Sequence, residues 1–208
     1  MKTFPTYSLE EQAKKTKNCS YIAGVDEAGR GPGAGPVVAA AVRIPDAYLP
    51  TLVGKVNDSK KMRARRREEM YDMITRVCDY GIGVIDNRII DEINILEATK
   101  LAMRKAVNDL KYVDYVLVDG TVDIKGLDVP QEQVIKGDAK SVSIAAASVL
   151  AKAARDYIMT ELHFICPVYN WIKNKGYLTK EHIEMIRVYG VSDFHRRSFN
   201  KVGRDRNA

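Results

Sequence analysis

Two carboxylates, Asp26 and Glu27, stand side by side where an apolar run breaks off in "YIAGVDEAGRGPGAGPVVAAAV" (21–42). Two further acids hold comparable positions. Asp119 closes the apolar segment "YVLVD", and Asp138 lies in "IKGDAKSVSIAAAS", just ahead of a long helix-like stretch. Taken singly, each reads as a solvated turn residue or, for Asp138, a helix cap. Taken together they suggest chemistry, because strand ends in one sheet lie side by side, about 4.8 Å apart. Acids on neighbouring strand ends, joined by one at a helix N-terminus, can therefore converge. Convergent carboxylates repel and do not all ionise cheaply without a cation between them. Hard oxygen donors of this kind select Mg²⁺ or Mn²⁺ over zinc or copper. Ions shared between carboxylates and phosphate oxygens suit phosphodiester hydrolysis, a pair of them activating water and stabilising the leaving oxygen.

The residues after the acids add a second clue. Successive strand residues face opposite sides of a sheet, so Asp26 and Glu27 serve one site only if the strand ends or bulges there. Gly29, Gly31 and Gly33 permit that. Backbone nearly bare of side chains can also approach a ligand closely. A 2′-hydroxyl is a natural target, being donor and acceptor at once and the group that separates RNA from DNA.

Elements able to place these residues follow from periodicity and turn chemistry. Apolar runs predict strands over 21–26, 37–44, 81–86 and 115–119, with a short fifth at 134–135. The first two are expected to be antiparallel, since so short a connection cannot make a parallel crossover. Helices are expected over 62–78 with Ser59 as cap and Met70, Met73, Ile74 and Val77 on one face. Others are expected over 94–110, with Leu96, Thr99, Met103, Ala106, Val107 and Leu110 on one stripe, and over 140–162. The last spans 179–189, between a Thr179 cap and Gly190. The predicted class is α/β, a mixed five-stranded sheet flanked by helices with a small C-terminal helical subdomain. The expected organisation is a helical lead-in over 1–20, a catalytic core over 21–162, and a helical subdomain with a basic tail over 163–208.

Composition narrows the partners. Thirty-three Lys and Arg against twenty-seven Asp and Glu give a net charge of +6, concentrated in "KKMRARRR" (60–67) and "HRRSFNKVGRDR" (195–206). Such clusters suit phosphate backbones, although Arg196 and Arg197 could equally tie the tail onto the fold. The N-terminus has no apolar segment of signal-peptide type, and 142–154 is too short to span a bilayer. Cys19, Cys78 and Cys166 form no CxxC pair, and His163 with Cys166 lacks a second pair to complete a zinc set. The expectation is a reduced, cytoplasmic, monomeric protein without membrane attachment.

With "GVDEAGRGPGAGPVVAAAV", "DSKKM", "DEINILEATKLAM", "VDG", "KGDAKSVSIAAASVLAK", "NKGYLTKEH" and "FHRRSF" in order, the chain resembles bacterial ribonuclease HII over roughly 21–199. The resemblance implies a ribonuclease H-like fold. It also implies an endonuclease that cuts the RNA strand of RNA–DNA hybrids and incises duplex DNA 5′ to single embedded ribonucleotides, leaving a 3′-hydroxyl and a 5′-phosphate. Asp26, Glu27, Asp119 and Asp138 match that family's metal-binding acids, for Mg²⁺ or Mn²⁺. Gly29, Arg30 and Gly31 match its ribonucleotide-reading "GRG" loop. Tyr177 matches a tyrosine that stacks on the next sugar, and Lys60 and Lys61 match a phosphate-binding patch. Gly33 stands where that family usually carries a larger apolar residue, and Leu178 where glycine is common. Competing expectations are a DNA-only nuclease of the same fold, a non-catalytic hybrid binder and a small-molecule phosphatase.

Overall fold

The computed structural model describes residues 4–57, 59 and 62–202. Lys60 and Lys61, expected to bind phosphate, lie outside the described residues. A first helix α1 (Ser8–Lys17) leads into the hairpin β1 (Ile22–Ala28) and β2 (Val37–Arg43). A short α2 (Leu49–Leu52) and α3 (Ala64–Val77) precede β3 (Asp79–Ile85), followed by α4 (Asn87–Asn108), β4 (Tyr115–Asp119) and β5 (Gln131–Val134). The chain ends in the long α5 (Val142–Ile165), the single turn α6 (Trp171–Asn174) and α7 (Lys180–Tyr189).

The strands form one mixed sheet in the order β3-β2-β1-β4-β5. β1 pairs antiparallel with β2 and parallel with β4, as the short first connection requires. Alternation along each strand sends side chains to two cores. Val25, Ala39, Ala41, Val116 and Val118 pack against Ala98, Ala102, Met103 and Ala106 of α4. Ala40 and Val42 pack against Ala146, Val149 and Leu150 of α5 and Met70 and Ile74 of α3. Met73 and Val77 sit at the margin of that second core. β4 is buried on both faces up to Val118, which explains its unbroken apolar sequence.

Several boundaries differ from expectation for local reasons. Ser59 does not cap α3. It is buried, its hydroxyl shares a 2.9 Å hydrogen bond with the Ser148 hydroxyl, and Arg63 occupies the cap position instead. α4 begins at Asn87, capped by the Asp86 carboxylate, and is interrupted at Asn94 (φ 67°). There the Asn94 side-chain oxygen accepts from the backbone N–H of Leu96 and Glu97, so it acts as cap for the segment expected from 94 onward. Leu96 is 41% exposed rather than part of the buried stripe, because it lies in that new first turn. α5 starts two residues late, at Val142, since the Ser141 hydroxyl caps it by accepting from Ile144 N–H. α7 matches its expected cap and stop, Thr179 and Gly190. The three cysteines are free thiols. Among the described residues no helix is long and apolar enough to cross a membrane.

Candidate active site

The first strand does not bulge at its acids. β1 stays in register with β2 through Asp26–Ala40, Glu27–Ala39 and Ala28–Val38. The two carboxylates therefore leave opposite faces, Asp26 toward α5 and Glu27 toward the α4 side. What brings acids together is instead the parallel pairing of β1 and β4. Val25 is level with Val118, so Asp26 and Asp119 are the next residues on adjacent strands, both on the α5 face.

Asp26 is almost wholly buried, and its Oδ1 accepts a 2.7 Å hydrogen bond from Glu27 N–H. Burial, then the charges of Glu27 and Asp119, push its carboxyl well above the ordinary aspartate range. The Ser148 hydroxyl, donated from α5, partly offsets that rise. Asp119 Oδ1 accepts a 2.6 Å bond from Gly137 N–H, which anchors the 3₁₀ turn Gly137–Ala139 and with it half-buried Asp138 beside the strand end. α5 can rest this close to β1 because residue 24 is glycine. A Cβ there would lie 2.2 Å from Ile144 N.

Among the described residues, no group of three or more acidic, histidine or cysteine side chains is drawn together tightly enough to hold an ion unaided. The donor chemistry nonetheless fits a hard divalent cation. Burial and two neighbouring carboxylates oppose ionisation of Asp26, and the negative charge these acids carry together is what Mg²⁺ or Mn²⁺ would offset. Such ions commonly take only one or two carboxylates, the remainder being water and phosphate oxygens.

The glycine loop follows directly, and two buried arginines hold it from behind. Arg196 donates from Nε to Gly35 O, from Nη1 to Arg30 O, and from Nη2 to Gly29 O and Pro36 O, at 2.6–3.0 Å. Arg155 donates to Pro36 O, Lys175 O and Ala34 O at 2.9–3.2 Å. Burial lowers both guanidinium groups, Arg196 to about 9 and Arg155 to about 10. Arg196 thus ties the tail onto the fold, whereas Arg197 is exposed, 3.8 Å from Asp193. Arg30 reaches outward, its Nη1 3.4 Å from Glu27 Oε1.

Tyr177 stands beside this loop, 48% exposed; a Cβ on Gly31 would sit 3.6 Å from its ring. Gly33 donates its N–H to Gly176 O at 2.9 Å, joining the two loops through backbone. The space beside Gly33 is filled by Leu178, whose Cγ and Cδ2 lie 2.7 Å from where a Cβ would be. The larger apolar group is thus supplied from the facing loop. Sequence reasoning missed Ser148, Arg155 and the loop-holding role of Arg196. The lone hydroxyl in the apolar "AAASVL" was the available signal for Ser148, and nothing in the sequence marked the arginines as buried.

A family model described as Ribonuclease HII matches residues 23–202. The chain is 48% identical over 198 residues to Ribonuclease HII of Clostridioides difficile (strain 630), covering 94% of this chain and 76% of that one. It is 47% identical over 200 residues to Ribonuclease HII of Wolbachia sp. subsp. Brugia malayi (strain TRS), covering 96% and 95%. The solved ribonuclease H2 from Pyrococcus horikoshii OT3 superposes with a TM-score of 0.74 at 26% identity, over 88% of this chain and 96% of that one. The sheet order, the acids at the β1 and β4 ends and these matches agree: the fold is ribonuclease H-like, and the chain belongs to the ribonuclease HII family of ribonuclease H enzymes.

Proposed function

We propose that this enzyme, an endonuclease for the RNA of RNA–DNA hybrids, also incises duplex DNA 5′ to single ribonucleotides, by two-metal-ion hydrolysis that leaves a 3′-hydroxyl and a 5′-phosphate. One observation carries the reading: Asp26 is buried between the charges of Glu27 and Asp119, with its carboxyl pushed up, at the open end of two parallel strands. Asp26, Asp119 and Asp138, with Glu27 on the other face of the same strand end but close enough for its charge to raise the Asp26 carboxyl, are the residues that would hold Mg²⁺ or Mn²⁺. When bound, the ions supply a polarised water for in-line attack and neutralise charge on the leaving oxygen.

The chain's own residues do the rest. Ser148 fixes the Asp26 carboxyl by its hydrogen bond from α5. Gly137 N–H orients Asp119. In the glycine loop, Arg196 engages the Gly29 and Arg30 carbonyls from the protein side, giving Gly29, Arg30 and Gly31 a rigid backbone to set against a ribose 2′-hydroxyl. Tyr177, partly exposed next to Gly31, offers a flat face to the adjoining sugar. Lys60 and Lys61 are proposed to contact phosphates, which position a duplex without reading its sequence.

The test compares three labelled duplexes, one all DNA, one with a single ribonucleotide and one an RNA–DNA hybrid, with Mg²⁺, with Mn²⁺ and with EDTA. Cleavage at the 5′ side of the lone ribonucleotide, lost with EDTA, is expected. Equal cutting of the all-DNA duplex, or no cutting at the single ribonucleotide, would defeat the proposal. Tyr177→Ala is expected to lower cleavage at the single ribonucleotide more than binding.

A further inference from the structure

The backbone under Tyr177 rests on a pair of histidines that the reaction does not use. His182 on α7 and His195 near the C-terminus are both fully buried, with their Nε2 atoms 3.0 Å apart. His182 Nδ1 lies 2.9 Å from the carbonyl oxygen of Tyr177. Trp171 Nε1 lies 3.1 Å from His182 Nε2, and the backbone N–H of Ser192 lies 2.9 Å from His195 Nδ1.

These partners fix where the protons sit. An indole N–H and a backbone N–H can only donate, and a carbonyl can only accept. His182 therefore accepts at Nε2 and carries its proton on Nδ1, donating to Tyr177 O. His195 accepts at Nδ1 and carries its proton on Nε2, directed at His182 Nε2, whose single lone pair it shares with the Trp171 N–H. The result is a directional chain from Ser192 N–H through both imidazoles to Tyr177 O. A second proton on His182 would set N–H against the N–H groups of Trp171 and His195, and one on His195 Nδ1 would face Ser192 N–H with only the Ser192 hydroxyl, 2.9 Å away, to accept it, so the neutral pair fits these partners best. Burial favours that state, pushing His182 down and His195 down to about 4. The charged neighbours are Glu181 beside His182 and Arg197 beside His195. The carbonyl at the chain's end belongs to a loop held at successive residues, through Lys175 O by Arg155 and Gly176 O by Gly33 N–H.

We infer that the His182–His195 pair is a positioning device for Tyr177, setting its ring against the glycine loop and so contributing to selection of a ribonucleotide–deoxyribonucleotide junction. The inference rests on the proposed role of Tyr177 and assigns the two histidines no contact with substrate.

The test measures kcat and KM on the single-ribonucleotide duplex and on the RNA–DNA hybrid. The proteins are the unmodified chain, Tyr177→Ala, His195→Phe, His195→Gln and the double variant Tyr177→Ala with His195→Phe. Loss of one buried hydrogen bond predicts that His195→Phe lowers kcat on the single-ribonucleotide duplex about tenfold more than on the hybrid. His195→Gln, whose amide can replace the Nε2 donor, should recover most of it. In the Tyr177→Ala background His195→Phe should not change the substrate ratio further. An equal loss on both substrates, or a full additional loss in the double variant, would overturn the inference alone. An unchanged ratio in Tyr177→Ala would overturn the reading of Tyr177 and this inference with it. A second measurement needs no variant. Nitrogen-15 NMR of the three histidines near neutral pH should find His182 protonated at Nδ1 and His195 at Nε2, both neutral. Matching tautomers, or a charged ring, would refute the chain whatever the variants do.

Discussion

Replacing Asp26 with asparagine should stabilise the metal-free protein while removing its activity. The wild-type carboxyl is buried, and its ionisation is opposed by burial, Glu27 and Asp119 in that order. Two unit charges about 5 Å apart at an effective dielectric near 20 repel by about 3 kcal/mol. The Asp26→Asn amide keeps an oxygen to accept from Glu27 N–H, so the bond seen at 2.7 Å can survive. Allowing for incomplete ionisation of the wild-type group, the expected gain is about 1–3 kcal/mol. For a chain of this length that is roughly 3–10 °C in Tm. Calorimetry in EDTA near neutral pH would read it. Added Mn²⁺ should stabilise the wild type by about 2.7 kcal/mol at a hundredfold excess over Kd, raising its Tm, and leave the variant nearly unmoved. Cleavage should fall by at least about a hundredfold, since a cation ligand has gone, while hybrid binding persists. A variant that melts lower than wild type in EDTA, or that responds equally to Mn²⁺, would refute the argument that Asp26 is a strained member of a cation-binding set.

Other outcomes follow from the packing around the two loops. Gly33→Ala should cost about 1–3 kcal/mol through overlap with Leu178, and Leu178→Ala in the same chain should recover part of it; additive losses in a double-mutant cycle would show that the two do not touch. Arg196→Met should destabilise by about 3 kcal/mol, because it strips donors from the buried Gly35 and Pro36 carbonyls, the latter still bonded by Arg155, and from the part-buried Gly29 and Arg30 carbonyls; urea midpoints with an unchanged m-value would measure it. His195, neutral in the fold down to about 4, should make stability decline as pH falls below about 6.5, where the unfolded chain takes up a proton that the folded one refuses. Between about pH 7 and about pH 5 this amounts to about 2 kcal/mol of difference from His195→Gln, read by denaturation at each pH; parallel profiles for the two proteins would contradict it.

The first four strands, the Thr179 cap and the acids' places in the chain could be read from residue order, because local patterns carry them; β5 (Gln131–Val134), expected only at 134–135, could not, since its polar "QEQV" carries no apolar run and is a strand through its pairing with β4. Alternating or continuous apolar runs mark strands by their own burial, and "YVLVD" matched β4 residue for residue. The sequence motifs by themselves likewise resemble the ribonuclease HII family, to which the chain belongs. Other features depend on contacts between residues far apart in the chain. Ser59 looked like a helix cap, but its hydroxyl meets Ser148, 89 positions later. Contrary to expectation, the strand neither ends nor bulges at Asp26, and what sets that carboxyl beside Asp119 is parallel pairing with a strand distant in the chain. Residue order left Arg196 open between a phosphate-binding patch and a tie for the tail, and burial decides it as a clamp on four backbone carbonyls. Local propensity reports what a residue prefers near its neighbours; which long-range partner claims its donors and acceptors is decided only when the sheet and helices close around it.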